Sequence, residues 1–385
     1  MTSKIVLIIL TLGLPIGCGG PSGGGGSIQL TASGEVLALG GYAFPPASAD
    51  DPVFVDGWQV RFAKFIAVFD KVTLSEDPDT SPTDQSRTGR VVAEVDGPFA
   101  IDLHQGGPLP GKGGSEEQAE PIATLVDQND SGGAAFDPTL RYAFGFESVP
   151  ATPTARLINI AANDPDYAAM VDGGWNVLYV GTATWRGDLA SPACTSSDPA
   201  YDFSVLPRVV TFRLGFATPT QYVNCQNPDN DPARGLGGED HERGVQVKDN
   251  QQATVQVTFH TDHPFWESLT HDSPAHFDQL AALARKQVDG TYLVTLDDAT
   301  GVNYAAFKDA AGAPLPWRSC AAGYSPPSAS PQMGFDSLSI PDNPAGDPSL
   351  VLRDYRDYLR YNQSTQGHLN SDGLCYVRRR YPSPL

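Results

Sequence analysis

The run from Trp58 to Leu74, WQVRFAKFIAVFDKVTL, constrains the fold most. Trp58, Val60 and Phe62 alternate with polar partners, the period of a strand with one buried face. The run then becomes apolar on both faces through Phe69, as expected of a strand covered on two sides or broken by a bulge. The rest of the chain is punctuated by 39 glycines and 33 prolines and shows little long helical periodicity. Short alternating stretches at 91–103, 140–149, 156–160, 175–185, 209–216, 253–259 and 290–296 read as further strands. Helix starts are predicted at Asn163-Asp-Pro165, where proline suits the first turn, at Ser273-Pro274, and at Asp347-Pro-Ser. The expected fold is mainly β, a β-sandwich-like antiparallel core with long loops and a few short helices. Residues 28–160 form a β domain or the first half of the sandwich, and 161–385 a β-rich second half.

Residues 1–17 stand apart from the fold. Lys4 gives a small positive start, and the apolar run 5–14 is too short for an ordinary membrane-spanning helix. Leu14-Pro-Ile-Gly-Cys18 resembles the lipobox of bacterial lipoproteins, with Pro15 where a small or branched residue is more usual. The resemblance implies cleavage before Cys18 and a lipid on Cys18. Gly19 in the next position implies an anchor in the outer membrane. Residues 18–27 are Gly-rich and read as a flexible tether. Gly20-Pro-Ser22-Gly-Gly24 matches the letters of a nucleophile elbow but lacks the strand before and the helix after that such a turn needs.

The sequence holds five cysteines. With Cys18 lipidated, Cys194, Cys225, Cys320 and Cys375 make an even set, which in an exported chain predicts two disulfides. Three pairings are possible; joining sequence neighbours, Cys194 to Cys225 and Cys320 to Cys375, is the expected one. No C-x-x-C spacing occurs, which argues against a zinc ribbon, a thioredoxin-type site or c-type haem. A formal charge of −20 argues against nucleic acid and anionic headgroups as partners.

Four of the seven histidines, His260, His263, His271 and His276, fall in one short segment with Asp262, Glu267, Asp272 and Asp278. His260 ends the 253–259 strand on the face opposite Val255, Val257 and Phe259. Asp262 and His263 follow in a turn that Pro264 keeps from continuing as sheet. His276 is expected in the first turn of the Ser273 helix, where the dipole keeps imidazole neutral, the form a metal needs. Three or four imidazoles, with Asp262 as a ligand or as a partner for a ring N–H, suit copper or zinc. His104, at the end of a strand, is a further candidate. Asp127, Asn129 and Ser131 match the first half of a calcium loop, although Pro138 stands where its last acid belongs; a plain turn is the better reading. The acidic loop 227–243, with Asp229, Asp231, Glu239, Asp240, His241 and Glu242, offers either a cation site or a solvated loop.

A lipobox, early strands rich in Trp and Phe, mid-chain cysteines and a late His-rich segment near Trp266 together resemble the periplasmic copper-binding lipoproteins associated with methanobactin uptake. That resemblance implies copper bound by histidine and a modified tryptophan, here His260, His263 and Trp266. The expected function is a cell-envelope lipoprotein that binds copper or zinc. The alternatives are a metal-dependent hydrolase with Asp262, Glu267 or Asp272 as general base, and a structural or adhesive surface protein without metal.

Overall fold

The Trp58–Ser75 strand lies at the centre of a twelve-stranded sheet, with Val177–Trp185 on one side and Arg141–Ser148 on the other. Against these two neighbours it breaks register between Phe62 and Lys64 and between Asp70 and Thr73. Lys71 has a φ of 47° at the second break. The sequence's two-sided apolar run is thus a strand that is both covered and bulged. These features belong to a computed structural model that describes residues 25–304, 306–327 and 352–381. The lipobox, Cys18 and most of the Gly-rich stretch lie outside the described residues.

A second sheet of five strands runs Gly367–Leu369, Gln252–Phe259, Ser27–Ser33, Gln118–Leu125, Leu109–Pro110. The Ser27–Ser33 and Gln252–Phe259 strands are parallel. The two sheets pack through aromatic rings. Phe259 of the smaller sheet sits 6.2 Å from Phe69 and 5.8 Å from Phe146 of the larger. The fold is mainly β and sandwich-like, and both halves of the sequence contribute strands to both sheets.

The Pro165–Gly173 helix starts as predicted, its first amides capped by the Asp164 carboxylate. The helix expected from Ser273 instead begins later, at Asp278–Leu283. The residues before it are extended because they close a hairpin: Glu267 N–H donates to Pro274 O and His276 N–H to Phe265 O, both at 2.9 Å. Asp56, far away in sequence, accepts from the amides of Phe277 and Asp278 at 2.7 and 2.8 Å and does the capping that Ser273 was expected to do. The Asp347 helix start lies outside the described residues; the described helix is Tyr355–Gln363, capped by Asp354.

The disulfides correct the sequence expectation. They join Cys194 to Cys320 and Cys225 to Cys375. Sheet register decides this, not sequence proximity. Thr195 pairs with Ser319, which sets Cys194 beside Cys320. Val223 pairs with Tyr376, which sets Cys225 beside Cys375. The bridges span separations of 126 and 150 residues, so each restricts a long loop of the unfolded chain, by about 5 kcal/mol in the chain-entropy account.

Candidate metal centre

The Gln252–Phe259 strand delivers the first histidine. Val255, Val257 and Phe259 point into the core as their alternation predicts. The opposite face is also covered, with Gln256 and Thr258 fully buried. The Gly367–Leu369 strand pairs beside it in the sheet, antiparallel, with His368 opposite Thr258. Alternate residues share a face of a strand, so His260 and His368 are diagonal neighbours on one surface. Their rings stack, planes 3° apart and centroids 4.1 Å apart. Gly367 permits the approach: a Cβ there would lie 2.5 Å from the Tyr222 ring.

His263 comes from the turn after the strand, where Pro264 holds a short 3-10 helix, His263–Phe265. Its ring is buried, 5.3 Å from both His260 and His368 by centroid. Trp266 stacks on its other side at 3.8 Å, and its indole N–H donates to Asp262 Oδ2 at 3.2 Å. His271 occupies the loop between the hairpin's two arms, 5.6 Å from His263 and from His368. It is partly exposed, and its Nδ1 lies 3.1 Å from Asp272.

Hydrogen bonds assign the ring nitrogens. Thr365 Oγ1 donates its one proton to Asn362 O at 2.7 Å. It therefore accepts from His263 Nδ1–H at 2.7 Å, and His263 Nε2 carries the lone pair. That Nε2 is buried and has no protein partner, as do both ring nitrogens of His368. His260 Nε2 faces the Ser371 carbonyl at 3.2 Å, an acceptor only, so it holds a proton and leaves the lone pair on Nδ1. Burial pushes the His263 and His368 rings well below the ordinary imidazole value, and nearby His260 and His271 push the same way. Burial also opposes charge on His260, but Glu35, Asp262 and Asp372 outweigh it and hold that ring above its ordinary value.

One ring nitrogen from each of His260, His263 and His368 lies within 4.8 Å of the others. A tetrahedral ion with metal–nitrogen bonds of about 2.0–2.1 Å wants ligand nitrogens roughly 3.4 Å apart, so the stacked His260 and His368 rings must tilt apart to aim their in-plane lone pairs at one ion. Neutral imidazoles with buried lone pairs and no partner fit such an ion. Left unsatisfied they carry a desolvation cost. Glu35, His260 and Asp372 form a second group of comparable spacing.

The sequence's candidates divide. His260 and His263 come together, and His271 borders them. His276 does not join: its Nε2 lies 2.7 Å from Glu267, and its ring meets Trp317 edge-on at 4.8 Å. The hairpin that delays the helix turns it away from the other rings. Asp262 lies beside the cluster and is engaged by Trp266. His104 Nδ1 donates to Ala38 O at 2.7 Å. Asn129 accepts from Glu94 N–H and donates to Glu94 O, so the 127–132 segment is a pinned turn rather than a calcium loop. In the acidic loop, Asp229 pairs with Lys112, Glu239 with Arg243 and Glu242 with Arg141.

The candidate ligand that sequence reasoning missed is His368. It stands alone in the C-terminal segment, and its one local signal is the run Gly367-His-Leu-Asn-Ser-Asp-Gly373, where glycines bracket a tight turn. Clefts of about 300 and 690 Å³ open elsewhere, and neither is lined by a histidine. The imidazoles form a packed knot rather than the wall of a substrate pocket.

Comparison with known proteins leaves this geometry to stand by itself: no protein-family model, no curated protein and no solved structure matches the chain.

Proposed function

We propose that the protein binds one transition-metal ion, copper or zinc, through His260, His263 and His368, with His271 as an exchangeable fourth donor. The observation that carries this reading is the convergence of three imidazoles whose lone pairs, at His263 and His368, are buried without a protein partner. Nitrogen ligands without a thiolate suit copper(II) or zinc, and the resemblance to the methanobactin-associated lipoproteins favours copper. Two of the acids that a hydrolase would use as a base are engaged, Asp262 by Trp266 and Glu267 by His276, and the third, Asp272, is an exposed loop residue beside His271. A capture or buffering role therefore fits better than hydrolysis.

We further propose that the protein works in the cell envelope, anchored through Cys18 to the outer membrane. Two disulfides suit an oxidising compartment.

Elemental analysis of the chain from residue 19 onward, before and after chelation, tests the metal reading. Near-stoichiometric copper or zinc, lost in the His260→Ala/His263→Ala double variant, is the expected result. Absence of both metals, with none taken up on addition, sinks it. Incorporation of labelled fatty acid, abolished by Cys18→Ser, tests the anchor.

A further inference from the structure

Glu35 sits where a carboxylate needs a reason. It opens the Glu35–Gly40 helix with φ at 62°, a left-handed conformation that non-glycine residues seldom adopt. Its side chain is only 19% exposed. Oε1 accepts from Ser371 Oγ at 2.7 Å and lies 3.5 Å from His260 Nε2. A second buried acid, Glu117, accepts from Gln256 Nε2 at 2.7 Å and from the Gly113 amide. Among the described residues, neither acid forms an ion pair with lysine or arginine.

Burying a carboxylate without a cation is costly. The basic group beside Glu35 is His260, whose Nε2 lies 3.5 Å from Oε1. Its Nε2–H faces Ser371 O, Glu35 and, at 3.9 Å, Asp372, so the opposite nitrogen is the one free to ligate. A carboxylate behind an imidazole fixes the ring's tautomer and raises its basicity toward a metal. Three neutral imidazoles carry no charge of their own. The negative charge that distinguishes an ion of charge two from one of charge one lies behind them, at Glu35.

We propose that Glu35 is a positioning residue that presents His260 Nδ1 to the metal and makes the centre select a divalent over a monovalent ion, for copper the Cu(II) state over Cu(I). The inference rests on the metal reading above.

The test compares the copper-loaded wild type with Glu35→Gln. It reads the Cu(II)/Cu(I) midpoint potential by spectroelectrochemical titration, and the affinity for each state by competition with a chelator. In Glu35→Gln, Cu(II) binding should weaken about tenfold while Cu(I) binding holds, an upward shift of about 59 mV for one electron. Ser371→Ala removes the hydroxyl that competes for the Glu35 oxygen, and should shift the potential downward. That variant decides the matter if Glu35→Gln fails to fold. An unchanged potential, or equal weakening of both states, makes Glu35 merely structural and overturns the proposal. A second metal equivalent in the wild type, lost in Glu35→Gln, also overturns it, since Glu35, His260 and Asp372 would then be a cation site themselves. A wild type that binds neither copper nor zinc removes the metal reading, and this inference falls with it.

Discussion

His260 and His368 stack face to face, 4.1 Å between centroids, one from the end of the Gln252–Phe259 strand and the other from the short strand paired beside it. Two parallel imidazoles so close and so buried cannot both hold a charge. Burial keeps the His368 ring neutral with a lone pair available, while the acids around His260 favour charge on that ring alone. His368→Ala should therefore abolish stoichiometric metal even though His368 lies far from the other histidines in sequence. His276→Ala, within the His-rich segment but bound to Glu267, should keep it. Metal content of the two purified variants decides the matter; the reverse pattern would refute the site.

Thr365 supports the site from behind. Its hydroxyl donates to Asn362 O and so accepts from His263 Nδ1–H. Thr365→Val removes that acceptor. Metal affinity should fall about 10–100-fold, as is typical for loss of an outer partner of a metal-bound histidine, with stoichiometry retained at saturation. Competition titration with a chelator measures it, and an affinity within twofold of wild type would show that Thr365 does not set the tautomer.

An ion that binds only the folded chain stabilises it by mass action. At free metal a hundredfold above Kd, the gain is about 2.7 kcal/mol. Thermal melts should rise on adding metal and return after chelation. His263→Ala should give no response. A wild-type melt indifferent to copper and zinc would count against the site.

Asp56 predicts a pH dependence unrelated to metal. Burial, aided by the nearby Asp278 carboxylate, raises it to about 7, against the restraint of His276 and Arg318. The unfolded chain releases that proton at the ordinary aspartate value of 3.8. Between these limits the folded chain binds the extra proton, so stability falls as pH rises from about 4 to 7. Asp56→Asn keeps an oxygen for the Phe277 and Asp278 amides and should flatten that slope. Urea melts across this range read it; an unaltered slope would assign the effect to other groups.

Part of the strand architecture was legible because it rests on local alternation, while the Ser27–Ser33 and Gln118–Leu125 strands of the smaller sheet were not read. Trp58–Ser75 and Gln252–Phe259 appear within a residue or so of where Trp58, Val255 and Val257 place them. Two of the metal candidates, His260 and His263, were legible for the same reason: one ends a strand and the other follows a proline-set turn. What failed depended on contacts between distant segments. The disulfides follow the pairing of Thr195 with Ser319 and of Val223 with Tyr376, which no spacing in the sequence reveals. His276 left the cluster because the residues before it paired with Phe265 and Glu267, and because Asp56 supplied the helix cap. His368 was missed because a solitary histidine gains meaning only from the strand beside it.

The interlocked disulfides also govern timing. Cys225 fastens Cys375 and with it the segment that carries His368. During synthesis His260, His263 and His271 emerge long before their fourth companion, and three histidines on an unfolded chain make a poor trap for an ion. The three rings can meet only after the chain has been made through His368, and the Cys225–Cys375 bridge then ties that late segment to the earlier strands.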